Sequence, residues 1–72
     1  MNYIIQLQCV NEDNSYNFKY GQYAYVSDVF GLDSKYTTLK DNAYKFISSK
    51  RVNMICDKVD KKMFKPSIIK TI

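Results

Sequence analysis

Histidine and tryptophan are missing from this 72-residue chain, and glycine, cysteine and arginine are scarce. Without histidine, the chain lacks the commonest general base and the commonest metal ligand. Gly21 and Gly31 are the only glycines, so no glycine-rich loop can hold a phosphate. Cys9 and Cys56 are separated by 46 residues and cannot form a CxxC metal or redox motif. These absences predict a protein that is not an enzyme and that holds no metal and no cofactor.

Long apolar stretches are also missing from the sequence. No run approaches the roughly 18 apolar residues that a membrane-spanning helix requires. Residues 1–6 include no basic region, and Gln6 and Gln8 interrupt the apolar stretch, so a signal peptide is not predicted. We therefore expect a cytoplasmic protein. In that reducing compartment the two cysteines are expected to be buried free thiols, with a strand-to-helix disulfide as the alternative.

The length of the chain leaves room for one domain with a thin core, residues 1–72. A hydrophobic content of 46% is typical of a folded protein. Charge is unevenly placed along it, since residues 1–34 carry a net charge of −3 and residues 35–72 a net charge of +7. This asymmetry predicts a basic surface formed by the second half.

Period-two alternation predicts the strands of the first half. Residues 3–10, 16–20 and 23–27 alternate in this way, and the third strand extends towards Phe30. Gly21-Gln22 suits a two-residue hairpin turn between the second and third strands. Further along, the sequence predicts a break over 31–34, a short strand over 36–38 and a helical turn over 41–46.

A helix is predicted over residues 49–63. Ser48 and Ser49 can cap its start, and Pro66 is expected to end it, because proline cannot continue a helix. Residues 67–72 are rich in β-branched side chains and predict a closing strand. The order of elements predicts a small α+β domain, in which an antiparallel sheet of three to four strands packs on one main helix.

One side of the predicted helix is cationic. A helical projection places Val52, Ile55 and Val59 on the buried stripe. The same projection places six cations together on a different side of the helix: Lys50, Arg51, Lys58, Lys61, Lys62 and Lys65. Met54 lies in the middle of that side and is not required by the core. The cationic side is interpreted either as an ordinary solvated face or as a surface that follows a phosphate backbone.

Tyrosines are concentrated in the second and third predicted strands. Tyr16 and Tyr20 share one face of the second strand, and Tyr23 and Tyr25 share one face of the third. Their rings either pack across the strands or lie on an open sheet face. In the second case they favour binding, since tyrosine offers a large contact area at low entropic cost.

The segment YTTLKDNAYKFISSK, residues 36–50, resembles a segment of short phage-encoded proteins in which a strand is followed by T-x-L-x-x-A-x-x-F-x-S, a helix and a final strand. The opening residues 3–6 and the ending residues 68–70 are similar to the first and last strands of that group. The resemblance covers about half of the chain and implies that Ala43 and Phe46 are core residues. It carries no catalytic residues over.

Phage proteins of this size include inhibitors of host defence of the anti-CRISPR type, so the resemblance implies a non-enzymatic inhibitor acting in the cytoplasm of the host cell. The expected partner is a host protein, such as a CRISPR effector or its nucleic-acid complex. The residues expected to bind it are Tyr16, Tyr20, Tyr23, Tyr25, Lys50, Arg51, Met54, Lys58, Lys61 and Lys62. The alternative is a small nucleic-acid-binding protein that uses the cations of the helix. A homodimer remains open, and no membrane partner is expected.

Overall fold

The computed structural model describes residues 2–31 and 33–71, with Asp33 described by its backbone alone. Its elements are β1 (Asn2–Cys9), β2 (Tyr23–Phe30), β3 (Asp33–Thr37), a 3-10 helix (Lys40–Asn42), α1 (Ser49–Asp57) and β4 (Phe64–Thr71). The strands form one antiparallel sheet in the order β3-β2-β1-β4. The α+β fold with a closing C-terminal strand is therefore confirmed. Leu32 in the predicted break and Ile72 in the predicted last strand lie outside the described residues.

Alternation in β1 places successive side chains on opposite faces of the sheet. Ile5, Leu7 and Cys9 are fully buried and pack towards α1, on the face that we name the helix side. Gln6 and Gln8 are half-buried on the opposite face, which we name the open side. The sequence pattern of β1 therefore fixes which of its residues reach the main core.

The main core lies between α1 and the helix side of the sheet. Ser48 caps the start of α1, since its hydroxyl oxygen accepts a hydrogen bond from the Arg51 amide at 3.3 Å, as expected from the sequence. The apolar stripe of the helix then faces the strands. The buried residues of this core are Ile5, Leu7, Cys9, Ala24, Val26, Phe46, Val52, Ile55, Val59 and Phe64.

β1 and β2 pair along only three residues each and then separate. Residues 43–46, which we name the crossing segment, fill the gap between them. The backbone of Phe46 exchanges two hydrogen bonds with that of Tyr3, at 2.7 and 2.8 Å, and the Tyr44 amide donates to the Val26 carbonyl oxygen at 2.7 Å. The crossing segment thus satisfies strand edges that would otherwise be unpaired in the interior.

The crossing segment also takes the chain from one face of the sheet to the other. Ala43, at its start, packs with Ile4 and Tyr25 on the open side. Phe46, at its end, is 1% exposed and packs with Val52 in the main core. Ala43 and Phe46 are therefore core residues on opposite faces of one sheet. The segment expected to be a helical turn, 41–46, is helical only to Asn42.

The predicted second strand, residues 16–20, is wrong, because β1 and β2 are joined by a long loop of residues 10–22. Asn17 in this loop has a φ of 60°, which lies outside the range of a strand. Gly21 has a φ of 82°, and its amide donates to the Cys9 carbonyl oxygen at 2.7 Å. The predicted hairpin turn at Gly21-Gln22 therefore ends the long loop and does not join two strands.

The predicted end of the helix at residue 63 is also wrong, because α1 ends at Asp57. The amides of Met63 and Phe64 both donate to the Asp60 carbonyl oxygen, at 3.1 and 3.0 Å, and form a turn in place of another helical turn. Phe64 is buried and pairs with Cys9 at the start of β4. The burial of Phe64 in the sheet is therefore more favourable than continuation of α1 to residue 63.

Pro66 does not end the helix but lies inside β4, opposite Leu7. The Val10 amide bonds to the Met63 carbonyl oxygen at 2.8 Å, and hydrogen-bonded pairs alternate along an antiparallel ladder. By this alternation the pairs Gln8–Lys65 and Gln6–Ser67 are hydrogen-bonded, whereas the pair Leu7–Pro66 between them is not. The backbone nitrogen of Pro66 therefore points away from β1. Because β4 is an edge strand, the missing N–H removes no bond of the sheet.

Candidate interaction surfaces

The exposed side of α1 has one apolar side chain at its centre. Met54 is 49% exposed, although its helix buries Val52 and Ile55 against the sheet. Lys50 and Arg51 precede Met54 by four and three residues, and such neighbours lie about 5–6 Å apart between Cβ atoms. Lys58, four residues after Met54, retains helical backbone angles. The structure therefore brings together a cluster that we name the Met54 face: Lys50, Arg51, Met54 and Lys58.

The predicted line of six cations along one helix face is contradicted. The Lys61 ammonium group folds back to donate to the Asp57 carbonyl oxygen at 3.0 Å, at the end of the helix. There it balances the partial negative charge of the last carbonyl groups. Lys62 lies in the turn before β4, and Lys65 lies in β4 opposite Gln8, on the open side. Three cations remain around Met54, together with the exposed Asp57 carboxylate three residues after it.

Tyr16 is not on a strand but belongs to an aromatic cluster at one end of the helix side. Its ring centroid lies 5.6 Å from that of Phe18 in a stacked arrangement and 5.1 Å from that of Tyr36 at a near-perpendicular angle. Phe64 lies beneath both tyrosines, at centroid distances of 6.2 and 5.4 Å. Half of Tyr16 is exposed, but its ring holds the long loop to the sheet.

Burial raises the pKa of Tyr36 above its ordinary value of 10.0, and nearby Tyr16 and Asp60 raise it further. The phenolate form would bring a charge into this aromatic cluster and close to the Asp60 carboxylate. Tyr36 is therefore held in its neutral form, and its ring serves packing.

The other three tyrosines of the predicted binding set, Tyr20, Tyr23 and Tyr25, differ in exposure. Tyr25 is 7% exposed, and its hydroxyl oxygen accepts a hydrogen bond from the side-chain nitrogen of Gln6 at 3.1 Å. The expectation that Tyr25 offers an exposed contact is therefore wrong. Tyr23 is 50% exposed on β2, and Tyr20 is 69% exposed in the long loop. Tyr23 and Tyr25 face the open side, whereas Tyr16 lies on the helix side.

Strand register orders the side chains of the open side into rows. Tyr23 pairs with Gln8, and Gln8 pairs with Lys65, so these three form one row across β2, β1 and β4. The next row, two residues along each strand, is formed by Tyr25, Gln6 and Ser67. Adjacent strands lie about 4.8 Å apart, so each row is about 10 Å wide. We name the set of Gln6, Gln8, Tyr23, Lys65 and Ser67 the polar sheet face.

A shallow cleft of about 400 Å³ adjoins the polar sheet face at its far end. Ile4 and Thr71 line it from β1 and β4, and Lys40, Asp41 and Lys45 line it from the 3-10 helix and the crossing segment. The two ammonium groups outnumber the single carboxylate. This end of the open side is therefore cationic, as is the row that contains Lys65.

Reasoning from the sequence missed the polar sheet face, apart from Tyr23. The signal that could have found it is the alternation of β1, which places Gln6 and Gln8 on one face between two buried apolar neighbours. Its partners across the sheet depend on the register with β4. Because the helix is predicted to continue to residue 63, the sequence does not predict that β4 begins at Phe64, and the register with β1 does not follow from it.

Both cysteines are free thiols, as expected, and the alternative of a disulfide is wrong; Cys9 is buried, but Cys56 is only half-buried. Among residues 2–31 and 33–71, no group of three potential metal ligands occurs. No helix of this described part is both long and apolar enough to cross a membrane.

No family model, no curated protein and no solved structure matches the chain. The likeness of residues 36–50 to short phage-encoded proteins therefore stays a prediction. The segment has one residue more between Leu39 and Ala43 than the T-x-L-x-x-A-x-x-F-x-S pattern.

Proposed function

We propose that this chain is a non-enzymatic inhibitor of phage type, which binds a host defence protein and blocks the site of that protein. The observation that carries the proposal is the exposed Met54 between Lys50, Arg51 and Lys58. The buried stripe of α1 is complete without Met54, which lies on the solvent side of the helix. Its flexible thioether side chain suits an apolar recess on another protein, and the cations around it distinguish it from the other exposed apolar residues.

The Met54 face resembles a small protein interface in its layout. Protein interfaces place an apolar anchor at the centre and polar groups at the rim, and a few central side chains carry most of the binding energy. Here the rim carries three cations and the Asp57 carboxylate, so it is cationic on balance, and the matching surface on the partner is an apolar recess with an excess of carboxylates around it. The partner class indicated by the phage likeness is a CRISPR effector, alone or with its nucleic acid, in the host cytoplasm.

Nucleic-acid binding through the helix, by Lys50, Arg51, Lys58, Lys61 and Lys62, has less support. Lys61 is bonded to the end of α1, and Lys62 lies beyond the helix. A phosphate backbone also offers no apolar recess for the Met54 side chain at the centre of the face. A protein surface therefore fits the Met54 face better than a polyanion does.

The first test is a phage-plating assay in bacteria that carry an active CRISPR system. Expression of the wild-type chain should restore plaque formation, and Met54→Asp should abolish this effect. Leu39→Asp is the matched control, because Leu39 is an exposed apolar residue away from α1. Binding of the purified effector by Met54→Asp should weaken by about thirty-fold or more, the loss expected for a central anchor.

Two results would overturn the proposal. One is a folded wild-type chain that neither restores plating nor binds effectors across a panel of defence systems. The other is full activity of Met54→Asp together with loss of activity in Leu39→Asp. Binding to free DNA or RNA that weakens steeply between about 50 and 200 mM salt, and is lost in Lys50→Glu, would support the nucleic-acid alternative instead.

A further inference from the structure

We infer that the polar sheet face is a second binding site, and that its ligand is single-stranded nucleic acid. The site lies on the opposite face of the sheet from α1 and shares no residue with the Met54 face. No large helix covers it, and the 3-10 helix and crossing segment shield only its far end, around Ile4 and Tyr25.

The centre of the site offers one ring and two amides. Tyr23 projects from β2 with half of its side chain exposed, and it stands beside Gln8 in the same row. An exposed ring on a sheet can stack on an unpaired base, and stacking of this kind tolerates any base. Side-chain amides both donate and accept hydrogen bonds, so Gln8 can reach the edge of a base stacked on Tyr23.

Gln6 is held in place in the second row. Its nitrogen donates to the Tyr25 hydroxyl oxygen at 3.1 Å, and that hydroxyl belongs to a buried side chain. This bond restricts the orientation of the Gln6 amide. Ser67, on the exposed edge strand, adds a hydroxyl group beside it. The second row therefore presents a held amide and an exposed hydroxyl group next to the stacking position.

Cations lie at both ends of the site. Lys65 ends the row of Tyr23 and Gln8. Lys40 and Lys45 line the cleft at the far end, where Asp41 is the one acidic lining residue. A chain of phosphates that crosses the rows would meet positive charge on entering and on leaving. This arrangement suits a polyanion whose bases lie against the sheet.

A protein ligand fits this face less well than a nucleic acid. The aliphatic side chains of the open side near these rows, Ile4 and Ile69, are buried or half-buried, so they offer no protruding anchor. The face is flat and rich in amides and hydroxyls. Double-stranded DNA fits poorly as well, because its bases are stacked inside and cannot reach Tyr23.

The test is fluorescence anisotropy with labelled oligothymidine and oligouridine of about eight nucleotides, at low and moderate salt. Wild-type protein is expected to bind both and to bind a duplex more weakly. Tyr23→Ala should weaken binding by about ten-fold or more, because a stacked base is lost, whereas Tyr23→Phe should retain it. Lys65→Glu should also weaken binding, and Met54→Ala, on the other face, should leave it unchanged.

Circular dichroism of each variant should match that of wild type, since Tyr23 and Lys65 are exposed. Absence of binding by wild-type protein at low salt would refute the site. So would equal binding by Tyr23→Ala and wild type, or loss of binding only in Lys50→Glu, which would place the nucleic acid on α1. Because Tyr23 and Met54 lie on opposite faces, failure here is distinguishable from failure of the proposed inhibitor function.

Discussion

At the scale of single residues, Asn14 organises the long loop. Its side-chain oxygen accepts hydrogen bonds from the amides of Tyr16 and Phe18, both at 3.0 Å. Its nitrogen donates to the carbonyl oxygens of Asn11 and Phe18, both at 2.9 Å. One amide group thus satisfies the backbone on both sides of the loop. The loop in turn positions Tyr16 and Phe18 over Phe64.

Asn14→Ala is expected to lower the free energy of unfolding by about 1–3 kcal/mol, because backbone groups of the loop lose their partners. Urea unfolding followed by circular dichroism measures this change. Asn53→Ala is the matched control, since Asn53 is exposed on α1 and alanine favours helix there. Equal stability of Asn14→Ala and wild type would show that water replaces the side chain and that the aromatic contacts hold the loop.

Tyr36 and Cys56 link stability to alkaline pH. Burial raises the pKa of each above its ordinary value, 10.0 for Tyr36 and 9.0 for Cys56. The unfolded chain therefore loses these protons at lower pH than the folded chain does. The corresponding stability is fully present below the unfolded pKa values and is lost as pH rises through the higher folded ones.

Stability should therefore fall as pH rises above about 9, and Tyr36→Phe should lose less than wild type does above pH 10. Urea unfolding at a series of pH values measures both curves. Tyr20→Phe removes an exposed phenol from the long loop and serves as control. Parallel curves for Tyr36→Phe and wild type would mean that other groups cause the alkaline loss.

At the scale of elements, the sequence predicts the features that depend on interactions between residues close in sequence. The predictions of β1 from its alternation and of the cap at Ser48 are confirmed, because each depends on neighbours in sequence. Residues 16–20 alternate as a strand does, yet the bonds of Asn14 give their backbone other partners. The end of α1 depends on Phe64 entering the sheet opposite Cys9, a contact between distant parts of the chain.

The same limit applies to the candidate sites. Met54, Lys50 and Lys58 were placed together because helical spacing alone brings them close. Lys65 was assigned to the helix, although strand register puts it beside Gln8 on the other face of the sheet. The burial of Tyr25 follows from the path of the 3-10 helix over β2, and no local pattern encodes that path.

Pro66 limits pairing at the free edge of β4. Its nitrogen points outward, where any other residue would offer a donor to a further strand. Pro66→Thr should therefore increase self-association, measured by sedimentation velocity over a range of concentrations. Ser67→Thr is the control, because the backbone N–H and C=O groups of Ser67 point towards β1, where Ser67 pairs with Gln6. A monomeric Pro66→Thr variant at high concentration would show that Lys65 and Lys70 suffice to protect the edge.

At the scale of the whole molecule, the first and last strands lie next to each other. β4 pairs with β1 along its full length, from Asn2 opposite Thr71 to Cys9 opposite Phe64. The Thr71 hydroxyl also donates to the Asn2 carbonyl oxygen at 3.3 Å. β1 is central, so without β4 it would expose a long edge and an uncovered part of the core. We therefore expect that folding requires β4.

A chain that ends at residue 61 should consequently show no cooperative unfolding transition in urea, because it lacks Phe64 and the partner of β1. A matched permutant carries residues 62–72 ahead of residue 1, joined by a Gly-Ser linker of about four residues, a common hairpin length. It contains every native residue and should unfold cooperatively, since Asn2 and Thr71, next to the joined ends in sequence, lie opposite each other in the sheet. Cooperative unfolding of the shortened chain would instead show that β1, β2, β3 and α1 form a core without β4, and that the closing strand is an addition to an already stable unit.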